Sequence, residues 1–280
     1  MRKERFLVVV VGVLVVLTLV AGVVSGCQPG SSEPAVQEST GAQPASADEA
    51  SLNEAVIKAI AVGDDDALAS ALENGADANA ESSPGRPALY LAASRGNAQA
   101  ARLLIDAGAD VRADTVDGAI LVTAAREGHR EIVEMLLDAG VDIESIGRAW
   151  SGGDGTALWA AAVNGHAEVG ELLVERGADV NTADTDGISA LMLAAANDLP
   201  QLVELLLENG AEIDHQADSG RTALHGAALH IYRGISSPES ARVLIEHGAA
   251  LDIEDAQGRT PLDIALPDVA EILREAGAAE

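Results

Sequence analysis

TALWAAAVNGHAEVGELLVERGADVN, residues 156–181, carries the plan of two short helices and the turn between them. Thr156 stands where a helix starts, and its hydroxyl can accept from the free amides of the first turn. Ala161 and Ala162 have almost no side chain, so this segment can lie close against a neighbour. Leu172 and Leu173 supply the bulk of a buried layer, and Gly177 accepts the left-handed conformation that closes a helix. One such unit cannot bury its own apolar face, which predicts that it recurs and stacks.

It does recur. The closing glycines in ENGAD, DAGAD, DAGVD, ERGAD, ENGAE, EHGAA and EAGAA are Gly75, Gly108, Gly140, Gly177, Gly210, Gly248 and Gly277, at intervals of 33, 32, 37, 33, 38 and 29 residues. A second marker keeps the same beat in PALYLAA, AILVTAA, TALWAAA, SALMLAA, TALHGAA and TPLDIAL. At these motifs residues 51–280 resemble the ankyrin-repeat family, whose consensus carries TPLHLAA in its first helix and LLLxxGADVN at the end of its second. The expected fold is an all-α ankyrin-repeat solenoid of about seven helix-turn-helix repeats with short β-hairpin fingers.

Each repeat then has a physical role for its marker residues. Thr156, Ser189, Thr222 and Thr260 are expected N-caps, and Pro261 fits a first turn, where its missing N–H is no loss. The alanine pairs 92–93, 124–125, 161–162, 194–195 and 227–228 should set the stacking distance. The pairs Leu103-Leu104, Leu136-Leu137, Leu172-Leu173, Leu205-Leu206 and Leu244-Ile245 should fill the layer between helices. The first copy reads as an N-terminal cap with Asn53, Glu54 and Lys58 toward solvent. The last reads as a C-terminal cap, with Pro267 where its first helix would continue.

Upstream of the repeats the sequence changes character. Arg2, Lys3 and Arg5 precede an uncharged run from Phe6 to Val24, the layout of an export signal. Its 19 residues would make a helix of roughly 28 Å, so an uncleaved membrane anchor is the other reading. The run ends in Val24-Ser25-Gly26-Cys27, which holds the single cysteine and resembles the bacterial lipobox. That resemblance implies cleavage before Cys27, a lipid such as palmitate on Cys27, and a periplasmic or exterior location for everything after it. Residues 1–26 are then the signal peptide. Residues 27–50, rich in Pro, Gly, Ser, Ala and Glu, form a tether with an r.m.s. span on the order of 25 Å.

Without residues 1–26 the chain has 14 basic and 44 acidic residues, a formal charge of −30, with Lys58 its one lysine. Such a surface repels phosphate backbones and anionic lipids, which argues against nucleic acid as a partner and leaves the lipid as the means of membrane attachment. The acids are spread along the whole chain, which favours a general solubility role, as in a salt-rich environment, over a match to one basic partner.

No catalytic constellation is legible, and no cofactor is expected. His129 and His166 fall in the turn between helices, His225 in the TALH box and His247 beside a closing glycine, all places that the scaffold explains. His215 and His230 lack a second ligand at metal spacing. Ala149-Trp150-Ser151-Gly152-Gly153 loosely mimics a nucleophile elbow, without the strand and helix context that an elbow needs. Asp64-Asp65-Asp66 does not follow the calcium-loop pattern, and acids there complement the dipole of the helix that follows.

The departures from the period are more informative. The 37-residue interval has about four extra residues around SIGRAWSGGDG, and the 38-residue interval about five in LHIYRGISSPES. After Cys27 the chain has four aromatic residues, and two of them, Trp150 and Tyr232, lie in these insertions. Tyr and Trp are enriched in binding hot spots, so these two are candidate contacts; the alternative is that each ring pins its own loop. Tyr90 and Trp159 replace the histidine of the TPLH box.

The family resemblance implies a groove formed by finger tips and the exposed ends of the first helices. On matching positions it would present Arg86, Arg95, Asp117, Arg126, Glu127, Trp150, Asp154, Asn164, Asp186, Ile188, Asn197, Asp218, Arg221 and Arg259. Five of the thirteen arginines after Cys27 are on this face, which hints at carboxylate-bearing ligands; the alternative is that the family consensus itself favours Arg after the finger glycine. Asp198-Leu199-Pro200 replaces the usual G-H-L, where the groove is expected to change curvature. The expected function is a monomeric, lipid-anchored scaffold that binds a partner protein, with an inhibitor or immunity protein of a secreted enzyme as the alternative. A hydrolase using Ser151 and a transporter's solute-binding lipoprotein are weaker readings.

Overall fold

A helix, a glycine turn and a second helix recur along the chain, joined to the next pair through an outward finger. The computed structural model describes residues 47–113, 115–150, 153–229 and 238–279, with the backbone alone for Ala47, Ala149 and Trp150. Cys27 and its neighbours, Ser151, His230 and Tyr232 lie outside the described residues. In chain order the elements are α1 (Ala47–Val62), α2 (Asp65–Glu73), β1 (Glu81–Ser83), β2 (Arg86–Pro87), α3 (Ala88–Arg95), α4 (Ala98–Asp106), α5 (Ile120–Arg126) and α6 (Arg130–Asp138). There follow β3 (Gly147–Trp150), β4 (Gly153–Gly155), α7 (Ala157–Asn164), α8 (Ala167–Glu175), α9 (Ala190–Ala196) and α10 (Pro200–Glu208). The last are α11 (Ala223–Leu229), α12 (Glu239–Glu246), α13 (Pro261–Ile264) and α14 (Pro267–Glu275).

The odd-numbered helices stack in order as one layer and the even-numbered helices as a second. The alanines expected to set the spacing do so by position: Ala92, Ala93, Ala124, Ala125, Ala161, Ala162, Ala194, Ala195, Ala227 and Ala228 are all fully buried. Between the layers Leu104, Leu136, Leu173, Leu206 and Leu244 are also fully buried, each of a kind worth about 1.5–3 kcal/mol when removed from water. Between α8 and α10, Gly170 leaves room for Leu202, whose methyl would have to move away from a Cβ 2.7 Å from it.

The helix starts follow the sequence with one variation. Thr156, Ser189 and Thr260 accept from the amides of Trp159, Met192 and Asp263, and Thr260 with Asp263 forms a reciprocal capping box. Asp64 caps α2 through the amide of Ala67, with Asp65 and Asp66 in its first turn, as the dipole argument requires. At Thr222 the acceptor is instead Nδ1 of His225, 3.1 Å from the Thr222 amide.

Hydrogen bonds between repeats run along both edges of the stack. On the side of the GADVN loops, the side chains of Asn53, Asn79, Glu144, Asn181 and Asp214 accept from the amides of Asp77, Asp110, Asp179, Glu212 and Ala250, at 2.7–2.9 Å. Asn53 is therefore half-buried and used, whereas Glu54 and Lys58 face solvent. Finger to finger, the amides of Val116, Arg148, Asp218 and Ala256 donate to the carbonyls of Gly85, Asp117, Asp186 and Ser219.

Two boundaries differ from the sequence reading. Helix α1 begins at Ala47, inside the stretch read as tether, because Ala47-Asp48-Glu49-Ala50 combines helix formers with acids suited to a first turn. In the last repeat the first helix stops after Ile264, and Pro267 opens α14 rather than lying within α13. A proline at that first position gives up no intrahelical bond.

Candidate functional site

The third residue of a first helix points toward the next finger, and three repeats use it in the same way with three chemistries. The Tyr90 hydroxyl donates to the Asp117 carboxylate, the Trp159 indole to the carbonyl of Ile188 at 2.9 Å, and His225 Nε2 to the carbonyl of Arg259 at 3.1 Å. All three rings are buried. Tyr90 and Trp159 thus serve the scaffold. The proton arrangement of His225 follows from its partners: Nδ1 accepts from the Thr222 amide, so Nε2 carries the proton. Burial holds its pKa below the ordinary histidine value, and the bond to Arg259 opposes this only in part. For Tyr90, burial and the bond to Asp117 push the hydroxyl up.

The N-terminal half of the finger and first-helix face is closed on itself by polar contacts. Arg148 stands 3.7 Å from Asp117, and Arg126 donates to the Arg148 carbonyl at 3.0 Å and pairs with Glu127. Arg126 is thereby mostly covered and acts as a strut between α5 and β3. Arg86 is exposed and lies over the Tyr90 ring, 5.7 Å from its centre. Arg95 and Glu127 are exposed at the far ends of their helices, and Asp154, Asp186 and Asp218 are exposed on the fingers.

The C-terminal half is different. Between α9 and α11 a pocket of about 160 Å³ is lined by Ile188, Met192, Leu193, Ala196, Ala217, Ser219, Arg221, Thr222 and Gly226. Beside it, Asp255 is held by its own arginine: Arg259 Nη2 and Nε reach Oδ2 at 2.7 and 3.1 Å, and the amides of Gln257 and Arg259 bond Oδ1. The bonds from Arg259 hold the Asp255 carboxyl well below the usual carboxylate range, against the opposing effect of burial. Arg221 stands 3.7 Å from the same Oδ2, outside bonding distance, and its buried Nε has no hydrogen-bond partner.

Not every expected contact residue reaches this surface. Asn197 is a correction: it is 4% exposed, and its amide donates to the carbonyls of Ala162, Val163 and Leu193, which satisfies the end of α7 from α9. Asn164 is half-buried and bonds the carbonyl of Ala160. Ile188 is partly buried, with its side chain in the pocket and its carbonyl occupied by Trp159. Asp117 is largely covered by Tyr90 and Arg148. The side chain of Trp150 and all of Tyr232 lie outside the described residues.

The departure at Asp198 also has a structural use. Asp198 is in the left-handed region at φ 51°, and its carboxylate accepts from the amide of Ser240 in the first turn of α12. His129 and His166 have scaffold roles as expected, with rings against Gly96 and Gly128 of the preceding turn. His215 is tied to the scaffold too, through a 2.9 Å bond to the Gly187 carbonyl.

Sequence reasoning missed Val116 and Ile146, large apolar residues of the second and third fingers that remain 50% and 59% exposed. A valine at a finger-tip place otherwise held by Ser83, Thr185, Asp218 and Ala256 was the available signal for the first. It missed the pocket as well, whose signal was Gly226 standing where other first helices carry Leu91, Thr123, Ala160 and Leu193. Among the described residues no group of three or more His, Cys, Asp or Glu is placed to hold a metal ion, and no helix is long and apolar enough to cross a membrane.

Comparison with known proteins agrees with this architecture. A family model described as ankyrin repeats in three copies matches residues 56–146, 149–217 and 191–279. The ankyrin repeat domain of human ASB11 is similar at a TM-score of 0.69 and 27% identity, over 80% of this chain and 98% of that one. The ankyrin repeat domain of Bcl-3, described as a unique member of the IkappaB protein family, is similar at 0.63 and 28%, over 79% and 97%. Among curated proteins none matches. The chain belongs to the ankyrin-repeat family, whose domains serve as protein–protein interaction scaffolds.

Proposed function

We propose that the chain is a lipid-anchored, extracytoplasmic scaffold that, as a monomer, binds a partner protein through the face made by its fingers and first helices. The observation that carries the choice of face is the contrast within it. The second-helix layer presents Glu171, Glu175, Glu204 and Glu208 around one polar hollow, whereas the finger side holds Arg221 beside an apolar pocket and the exposed Val116 and Ile146. A partner gains from covering apolar surface and an under-used arginine, and gains little from a solvated acidic ridge. For the anchor, the support is the order of basic residues, apolar run and Val24-Ser25-Gly26-Cys27 in the sequence.

Metabolic labelling with a fatty-acid analogue tests the anchor. Wild-type chain should take up the label and lose residues 1–26, and Cys27→Ser should do neither. A labelled Cys27→Ser, or a wild type that keeps residues 1–26, would replace the lipoprotein reading with a membrane-anchor helix. For the face, Trp150→Ala and Tyr232→Ala should each weaken partner capture by more than about 1 kcal/mol with melting temperature nearly unchanged. Loss of stability in parallel with binding would make them loop pins.

A further inference from the structure

We infer that the pocket between α9 and α11, with Arg221 at its rim, is a subsite for an aliphatic side chain of the partner that is flanked by a carboxylate. This rests on the reading of the finger face as the binding surface. Gly226 opens the apolar half of the subsite. It leaves out the side chain that the corresponding place carries in four other first helices, and a Cβ there would stand 3.0 Å from the Met192 carbonyl oxygen. What opens is a pocket of about 160 Å³ walled by Ile188, Met192, Leu193 and Ala196. A cavity of about 150 Å³ in another protein accepts a benzene ring, so one aliphatic side chain fits.

The polar half is Arg221. Fingers that begin with Asp184 and Asp255 supply their own carboxylate to the turn, and in the last of these it binds Arg259 four residues on. Arg221 occupies the place of Arg259, but its finger begins with Ala217, so the matching carboxylate is missing. The next carboxylate along, Asp255, is saturated by Arg259 and two amides and leaves Arg221 at 3.7 Å. Two arginines therefore share Asp255, with Asp263 also acting on Arg259, and Arg221 is the one that no carboxylate bonds directly. A carboxylate that arrives here makes charge-assisted bonds that the fold itself does not make. Its side chain meanwhile displaces water from the pocket.

The chain contains its own reporters. Met192 lines the pocket, and Met135 lies in the other layer beside Arg102 and Asp138. With the full chain in lipid nanodiscs and methionine methyls labelled with carbon-13, N-acetyl-leucine and N-acetyl-leucinamide are titrated at roughly 0.15 M salt, where long-range repulsion is screened. N-acetyl-leucine should shift Met192 and not Met135, with a dissociation constant on the order of millimolar for a ligand of this size. The amide, which lacks the charge, should bind roughly tenfold more weakly, and Arg221→Gln should abolish the difference. Equal binding of acid and amide to the wild type, no shift of Met192, or a difference that survives Arg221→Gln would overturn the subsite. If the subsite fails while photo-cross-links to a partner still form from Arg95 and Asp154, the finger face stands without it; if those fail too, the face itself is wrong.

Discussion

The indole of Trp159 donates to the backbone carbonyl of Ile188, 2.9 Å away and 29 residues further along the chain. One side chain thereby joins a first helix to the next finger. Trp159→Phe keeps an aromatic ring and leaves that carbonyl with the Asp184 amide, 3.1 Å away, as its remaining donor. The variant should lose about 0.5–1.5 kcal/mol of stability in a urea denaturation series. An unchanged midpoint would mean that water replaces the indole at no cost.

Close packing of the first helices gives a contrast between neighbours in sequence. Ala161 is fully buried where α7 meets α5 and α9, whereas Glu168 is exposed on the outer layer. Ala161→Leu should cost about 1–3 kcal/mol and Glu168→Gln less than about 0.5 kcal/mol. Equal denaturation midpoints for the two would place the tight layer elsewhere.

Asp198 combines an unfavourable backbone with a useful carboxylate. Asp198→Ala keeps the left-handed strain and removes the cap on α12, so it should cost about 0.5–2 kcal/mol. Asp198→Gly relieves the strain while removing the same cap, and should cost less than the alanine variant. Thermal melts of the pair check the order; a glycine variant less stable than the alanine variant would contradict it.

Stability should depend on pH through two groups in the same corner. His225 is neutral in the fold with a lowered pKa, so the unfolded chain binds more protons below about 6.5. Its contribution is full above that pH and is lost as pH falls toward the lower folded value. Asp255 has a depressed pKa, so its contribution is full above about 3.9 and is lost as pH falls from there toward the lower folded value. Urea midpoints measured across pH for wild type, His225→Asn and Asp255→Asn check both windows. A His225→Asn profile parallel to wild type between about pH 5 and 7 would show that the imidazole is not held neutral.

How far the sequence was legible depends on the distance between cause and effect. Residues whose role is local, such as Thr156 at a helix start or the alanine pairs, were readable because cap chemistry and side-chain size act within a few positions. Asn53, Asn197 and His215 were not, since each bonds a backbone group 24 to 35 residues away or in the previous finger, and only the assembled stack brings those groups together. The pocket hid for a related reason. Gly226 looks like one more small residue in a small-residue helix, and the under-bonded Arg221 is evident only once Asp255 is seen to be taken by Arg259.

A partner protein that covers the finger and first-helix face should be caught by a photo-cross-linking amino acid placed at Arg95 or Asp154 on that face, and missed by one at Glu204 or Glu208 on the second-helix layer, in the full-length chain in its native membrane. A discrete cross-linked species is expected from Arg95 and Asp154 and none from Glu204 and Glu208. A species formed from the glutamate positions alone would contradict it.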